Sequence, residues 1–192
     1  MGRPKQFDPD TAVTRAMEVF WRKGYASTTP QDLVDALGIG KGSLYNAFGS
    51  KHALFQRALR RYRDSQDQFL LDLLGREGPV KERLRAALEH LADVDLTDPD
   101  RRGCMAVNTA AELATADQAA ADQVRAMFAR TERAFRELIE EGKRAGEIAA
   151  DRDAADVGSL LLSTVIGLRL TARVADGPDR HQRAIRAVLA LL

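Results

Sequence analysis

Three features of the chain predict an all-α fold. Ala, Leu and Arg dominate its 192 residues, prolines number six, and β-branched runs are few, a composition that favours helix over sheet. Apolar residues recur at helical spacing along almost the whole length. Capping residues and Gly/Pro breaks divide that periodicity into about nine helices. The first three are short and surround one tight turn, and those after it are longer. This predicts a three-helix N-terminal domain over residues 1–52 and a helical body over residues 53–192.

Composition narrows the function. Apolar content of 45% and charged content of 30% describe a globular protein with a sizeable core. No uninterrupted apolar run reaches the ~18 residues of a membrane helix and no signal-peptide pattern opens the chain, so a cytoplasmic protein without a membrane partner is expected. A single cysteine excludes an internal disulfide framework. The net charge of +1 conceals an asymmetry: residues 1–60 hold nine Lys/Arg against five acids, and the remainder carries a net −3. A basic third on a mildly acidic body suits nucleic-acid binding at one end and a different task at the other.

Residues 1–7 form a basic arm without periodicity. It reads equally as a free tail or as a phosphate or minor-groove contact through Arg3 and Lys5. The first helix starts with Asp8 as cap and Pro9 at N1, buries Val13, Ala16, Met17 and Phe20, and ends at Gly24. The second starts at Thr29 with Pro30 at N1 and Asp32 at N3, a capping-box pattern, and turns Leu33, Val34 and Leu37 inward. Gly38 is placed to end it in the left-handed conformation, with Ile39 plugging the angle before Gly40. The third helix, about Lys41 to Phe48, buries Leu44 and Phe48 at i, i+4 and shows Lys41, Ser43, Tyr45 and Asn46 outside. A buried seam, a Gly-permitted turn and a short polar, cationic second helix form a helix-turn-helix. An ordinary helical hairpin inside a bundle is the plainer alternative.

Ser50 caps a fourth helix running to about Leu74, roughly 37 Å long and able to belong to both domains. Its N-terminus and Lys51 suit a phosphate. Gly75–Pro79 breaks the chain. A fifth helix follows from about Val80 to Val94, then a loop from Asp95 and a sixth helix from about Gly103 to Ala114. The seventh spans about Gln118 to Arg144, the eighth about Ala154 to Ala175, and the ninth about Asp179 to Leu192. The eighth is apolar on nearly all sides and interleaved with small residues. In so small a domain one of its faces is expected to meet a second copy of the chain. Leu160, Ser163, Thr164, Gly167 and, from the ninth helix, Val188 are the candidate contacts. A monomer with the eighth helix as central core would leave the terminal leucines uncovered.

The run from Ala16 to Leu54 carries Phe20, Gly24, Tyr25, Thr28, Thr29, Leu37, Gly38, Lys41, Gly42, Ser43, Leu44, Tyr45, Phe48, Ser50 and Lys51 in one gap-free register. It resembles the N-terminal signature of the tetracycline-repressor (TetR) family of transcriptional regulators. It departs from many members at Asn46 and Ala47, where two histidines are common. The resemblance implies a homodimer on double-stranded operator DNA, most often a repressor released by a small-molecule effector. Lys41, Gly42 and Ser43 would approach base edges; Thr29, Gln31, Tyr45, Asn46 and Lys51 would complete the DNA face, largely at phosphates. The last two helices would form the dimer interface. No cofactor and no metal are implied.

The segment Arg102-Gly-Cys-Met-Ala-Val-Asn-Thr-Ala-Ala-Glu-Leu holds Cys104 near a helix start, with Asn108 and Glu112 at i+4 steps. Helix polarity and Arg101 and Arg102 would favour a thiolate. The pattern is similar to TetR regulators akin to the N-ethylmaleimide repressor, where the cysteine is associated with sensing electrophiles or oxidants. Packing is the default role of a lone cysteine. The expected effector pocket draws on Cys104, Met105, Asn108, Thr109, Phe128, Phe135, Leu162 and Ile166, with Leu91. Arg169, a charge within the eighth helix, needs a carboxylate such as Glu112, a ligand anion or water.

An enzyme with Cys104 as nucleophile would need a nearby base, but His52, His90 and His181 are scattered without metal-ligand spacing. A helical adaptor would leave the basic helix-turn-helix unexplained.

Overall fold

The computed structural model describes residues 7–192; Arg3 and Lys5 of the basic arm lie outside the described residues. Among the described residues nine α-helices follow one another: α1 Pro9–Lys23, α2 Pro30–Leu37, α3 Lys41–Phe48, α4 Lys51–Leu74, α5 Val80–Thr97, α6 Met105–Leu113, α7 Gln118–Arg144, α8 Ala154–Thr171 and α9 Asp179–Leu189. A single 3₁₀ turn, Ala172–Val174, extends α8, and no strand occurs among the described residues.

Local chemistry sets the helix starts. The Asp8 carboxylate accepts from the N–H groups of Asp10 and Thr11, and Pro9 follows at N1. Thr29 and Asp32 form a complete capping box: the hydroxyl accepts the Asp32 N–H, and the Asp32 carboxylate accepts the Thr29 N–H. Gly38 ends α2 at φ 67°, ψ 30°, the left-handed conformation that the turn requires. Asp117 and Asp153 cap α7 and α8 through backbone N–H groups.

Two apolar clusters fill the molecule. The first joins Phe20, Leu33, Leu44, Phe48 and Leu54 of the N-terminal helices to Met105 and Leu113 of α6 and Val124 of α7. The second lies among α5, α7, α8 and α9, with Leu84, Leu88, Phe135, Ile139 and Leu161 fully buried. Helix α4, roughly 36 Å long, contributes Leu54 to Tyr62 to the first cluster and Leu73 and Leu74 to the second. Helices α4 and α7 are thus shared by both clusters.

Helix α5 continues three residues beyond the expected end at Val94. The reason is Asp95: it is 3% exposed, and both its carboxylate oxygens grip Arg169, Oδ2 to Nε at 2.7 Å and Oδ1 to Nη2 at 3.0 Å. A carboxylate that reads as loop polarity in sequence is the buried partner of the one cation in α8.

The stretch Ala154–Val174 is long and apolar enough to cross a membrane by length and composition, with a mean hydropathy of 1.4 in its 18-residue window. Reading for uninterrupted runs passes over it because Ser, Thr and Gly interleave the apolar residues. It packs chiefly against α7 and carries the buried Arg169–Asp95 pair, as the spine of a helical bundle does.

Candidate nucleic-acid interface and effector pocket

Helices α2 and α3 are held from behind. Leu33, Leu37, Leu44 and Phe48 are each at most 6% exposed, and Ile39 packs half-buried on the same cluster. Burying each of these side chains is worth about 1.5–3 kcal/mol, so this seam rather than helix propensity holds two eight-residue helices. What remains outside is the candidate DNA face.

Lys41, Gly42, Ser43 and Asn46 are exposed, and Tyr45 is half-buried. Lys41 has no ion-pair partner among the described residues, leaving its ammonium to solvent or to a ligand. A Cβ added at Gly42 would meet nothing within 4 Å, so this backbone is open to close approach. Gln31 is exposed and donates to Asp35 Oδ1 at 2.7 Å.

Two of the expected phosphate contacts have work inside the fold. The Thr29 hydroxyl is committed to Asp32, at 2.8 Å. Lys51 Nζ donates to the Thr28 carbonyl at 2.7 Å and sits 4.3 Å over the Tyr25 ring. Lys51 thereby ties the start of α4 to the loop before α2. Sequence spacing could not show this, because the bond joins residues 23 positions apart.

That loop is also gripped from α6. The Glu112 carboxylate accepts the N–H groups of Tyr25 and Ala26 at 2.9 and 2.6 Å. Gly24, at φ 78°, lies so close that a Cβ would stand 3.0 Å from Glu112 Oε2. At the other end of α6, Trp21 Nε1 donates to the Gly103 carbonyl at 2.8 Å, and Arg102 pairs with Glu18 while stacking 4.2 Å over the Trp21 ring. Helix α1 and the loop that follows it are thus bolted to α6 at both its ends.

A pocket of ≈ 590 Å³, mouth included, lies among α4, α6, α7 and α8. Of the expected lining, Cys104, Phe128, Leu162, Ile166 and Leu91 are present. Met105, Asn108, Thr109 and Phe135 are not. Met105 and Thr109 are buried elsewhere in the packing, and Phe135 belongs to the second apolar cluster. Asn108 bridges the Arg102 carbonyl, at 2.8 Å, and Arg173, at 3.0 Å. From this segment Cys104, Ala106 and Val107 line the pocket, so that of the expected Cys104, Met105, Asn108 and Thr109 only Cys104 is shared and α6 is turned about its axis.

Sequence reasoning did not assign Tyr62, Gln66 and Phe69 of α4 to the pocket, where they form one wall, and left open whether Arg169 meets a carboxylate, a ligand anion or water; it lines the pocket. Glu112, the suggested partner of Arg169, serves the α1–α2 loop instead. A helical stripe in α4 two turns beyond the first cluster was the available signal for the missed wall.

Cys104 is 8% exposed, and its Sγ accepts from the Tyr62 hydroxyl at 3.5 Å. Burial, with the neighbouring thiol, pushes the Tyr62 phenol well above its usual range, so Tyr62 is a neutral donor. Arg101 and Arg102 point away from the thiol: Arg101 caps the carbonyls of Ala172 and Ala175, and Arg102 serves Asp98 and Glu18.

A buried-seam helix-turn-helix carried by helices shared with a pocketed helical body defines a helix-turn-helix DNA-binding protein with a regulatory domain. Comparison with known proteins makes that specific. The description "Bacterial regulatory proteins, tetR family" matches residues 13–58, and "Tetracyclin repressor-like, C-terminal domain" matches residues 80–188. The chain belongs to the TetR family of DNA-binding transcriptional regulators and is not an enzyme.

The uncharacterized HTH-type transcriptional regulator YezE of Bacillus subtilis is 32% identical, with all of both chains covered. The HTH-type transcriptional repressor ComR of Escherichia coli is 30% identical over 99% of this chain and 91% of its own. Among solved structures, the TetR regulator CifR, a cysteine mutant complexed with 26-bp double-strand operator DNA, aligns with a TM-score of 0.85 at 31% identity over 98% of each chain. Reduced E. coli NemR shares the fold at a TM-score of 0.85 and 18% identity, covering 93% of each chain.

Proposed function

We propose that this regulator is a homodimeric repressor that reads a pseudo-palindromic operator with α3 and leaves it when an effector enters the pocket bounded by α4, α6, α7 and α8. The observation that carries the reading is the shared wiring. Helix α4 carries the pocket wall Tyr62, Gln66 and Phe69 on the same rod whose first residue braces the loop before α2. Helix α6 carries Cys104 at the pocket and Glu112 at the α1–α2 loop. A ligand that displaces either helix must move the DNA-reading face.

On the DNA, Lys41, Gly42 and Ser43 approach base edges, and Tyr45, Asn46 and Lys51 reach phosphates, Lys51 with the N–H groups left over from Thr28. Thr29 and Gln31 flank this face. ComR, a repressor in name, and CifR on its operator support both the sign of control and the target.

Dimerisation rests on the outer face of α8. Leu160 and Leu170 are 41% and 49% exposed, with Ser163, Thr164 and Gly167 between them on one stripe. A Cβ at Gly167 would meet nothing within 4 Å, leaving room for a partner helix. Val188 is 6% exposed and packs into its own chain's core; Leu191, 55% exposed, takes its place on the outer surface of the C-terminal segment.

Footprinting upstream intergenic DNA tests the reading. Two protected half-sites centred about one helical turn, ~34 Å, apart are expected, one per protomer. A single protected half-site of one turn would refute the dimer.

Cys104 gives a second route to release, because its sulfur forms part of the pocket wall. Alkylation there would add bulk between Tyr62 and α6. Cys104→Ser should keep operator binding and lose release by maleimides; a thiol that stays unreactive in the folded protein would exclude this route.

A further inference from the structure

We propose that the effector is a compact, uncharged, mainly apolar molecule carrying one hydrogen-bond acceptor, a carbonyl or ester oxygen, which seats on the Arg169 guanidinium. This rests on the reading of the pocket as the effector site, and it specifies the chemistry that site accepts.

Most of the lining is apolar, with Phe69, Leu91, Phe128, Leu162 and Ile166 around the body of the space. Of the polar groups, Tyr62 bonds to Cys104 and Arg169 to Gln66, while the Thr131 hydroxyl is turned to the Met127 carbonyl of its own helix. The space is small, since its ≈ 590 Å³ includes the open mouth, so only a compact ligand fits. A ligand that fills it is therefore apolar along most of its surface.

Charge decides the polar group. Arg169 is the one charged residue in the lining, and the bidentate bond to Asp95 already neutralises it. Its side chain is 8% exposed and that of Asp95 is 3% exposed, so the pair is shielded from water. A carboxylate or phosphate entering beside Arg169 would bring a second buried anion to a single cation, without a further Lys or Arg in the lining to balance it. An ammonium would face the guanidinium directly. A neutral group avoids both costs.

Donors decide which neutral group. Asp95 occupies Nε and one proton of Nη2, whereas Nη1 has Gln66 Oε1 at 3.4 Å, the far edge of hydrogen-bonding range. The Tyr62 hydroxyl donates to the Cys104 sulfur at 3.5 Å, an ordinary distance to sulfur but a bond to a weak acceptor. The pocket thus holds underused donors, and an sp² oxygen of the ligand is their complement. Matching buried donors in this way contributes more to selection than apolar fit does, because a ligand lacking the acceptor leaves them unpaired.

Matched pairs separate the possibilities. Methyl cinnamate against cinnamate and methyl hexanoate against hexanoate would be titrated into the full-length protein at neutral pH by calorimetry. At least one ester should bind at least tenfold more tightly than its acid. The double variant Asp95→Leu/Arg169→Met removes both charges together, so that neither is left buried alone; helicity and operator binding confirm that it is folded. It should lose the preference and weaken the ester about tenfold or more. Equal or tighter binding of the acids, an ester preference that survives in the double variant, or no binding by either ester would overturn the proposal. Leu162→Trp, which fills the pocket, tests the underlying reading separately. If an ester still binds that variant unchanged, the pocket is not the site; if binding is lost, the pocket stands whatever the outcome at Arg169.

Discussion

Glu112 offers a sharp test of how the two halves are joined. Its carboxylate is the acceptor for two backbone N–H groups in the loop between α1 and α2, at 2.9 and 2.6 Å. Bonds of this charge-assisted kind contribute about 1.5–3 kcal/mol when shielded. Glu112 is exposed, so solvent screening reduces the pair together to about 1–2 kcal/mol. Glu112→Gln keeps the size but can serve only one of the two donors, and Glu112→Ala serves neither. Full loss should speed hydrogen exchange at the Tyr25 and Ala26 amides about 5–30-fold, the factor that 1–2 kcal/mol represents. The melting temperature should fall by about 2–4 °C per kcal/mol in a chain of this length. Amide exchange of Glu112→Ala followed by NMR reads this directly. If protection at Tyr25 and Ala26 is unchanged while Glu112→Ala folds normally, the bond is not closed in solution and α6 does not grip the loop.

Further outcomes are expected from other parts of the structure. Gly24→Ala should destabilise by about 1–3 kcal/mol, since φ 78° with ψ 168° is essentially a glycine conformation and the new Cβ would press on Glu112; thermal unfolding with the Gly24→Ala/Glu112→Ala double variant separates strain from contact. The Asp32 carboxyl is held at about 2 by Lys23 first, then by the N–H and hydroxyl of Thr29. This folded value lies below the ordinary 3.8, so the contribution is present above pH 3.8 and lost as pH falls through about 2. Lys23→Met should move the Asp32 titration, followed by carboxyl NMR, upward towards 3.8; an unmoved midpoint would contradict the assignment. Gly167→Glu should yield monomers in sedimentation with helicity retained, and a persistent dimer would exclude the outer face of α8.

The sequence disclosed most where the chemistry is local. The capping box at Thr29–Asp32, the left-handed Gly38, the bounds of α3 and the burial of Leu44 and Phe48 all follow from residues a few positions apart. The apolar pattern located the helices, and α7 runs over the expected range Gln118–Arg144. Contacts across the chain were illegible. Lys51 reads as a free cation until Thr28 and Tyr25 fold beneath it, and Glu112 and Asp95 are interchangeable as partners for Arg169 until α5 is placed against α8. The rotation of α6 was equally hidden, because its polar stripe of Asn108 and Glu112 serves partners far along the chain, Arg173 and the α1–α2 loop; Met105, Asn108 and Thr109 therefore fell outside the pocket while Tyr62 and Gln66 were not assigned to it.

Fluorescence anisotropy of the full chain on upstream intergenic DNA, across a salt series, tests the α3 surface most directly. Wild-type protein should bind one segment at least about a thousandfold more tightly than scrambled DNA of the same length. Lys41→Ala should weaken binding without changing the melting temperature, because exposed Lys41 makes no side-chain hydrogen bond or ion pair among the described residues, and Lys51→Ala should lower both. Each lost phosphate contact should flatten the slope of log affinity against log salt by about 0.9. Equal affinity for operator and scrambled DNA, or a Lys41→Ala variant that binds as tightly as wild type, would contradict the assignment of α3 as the DNA-reading element.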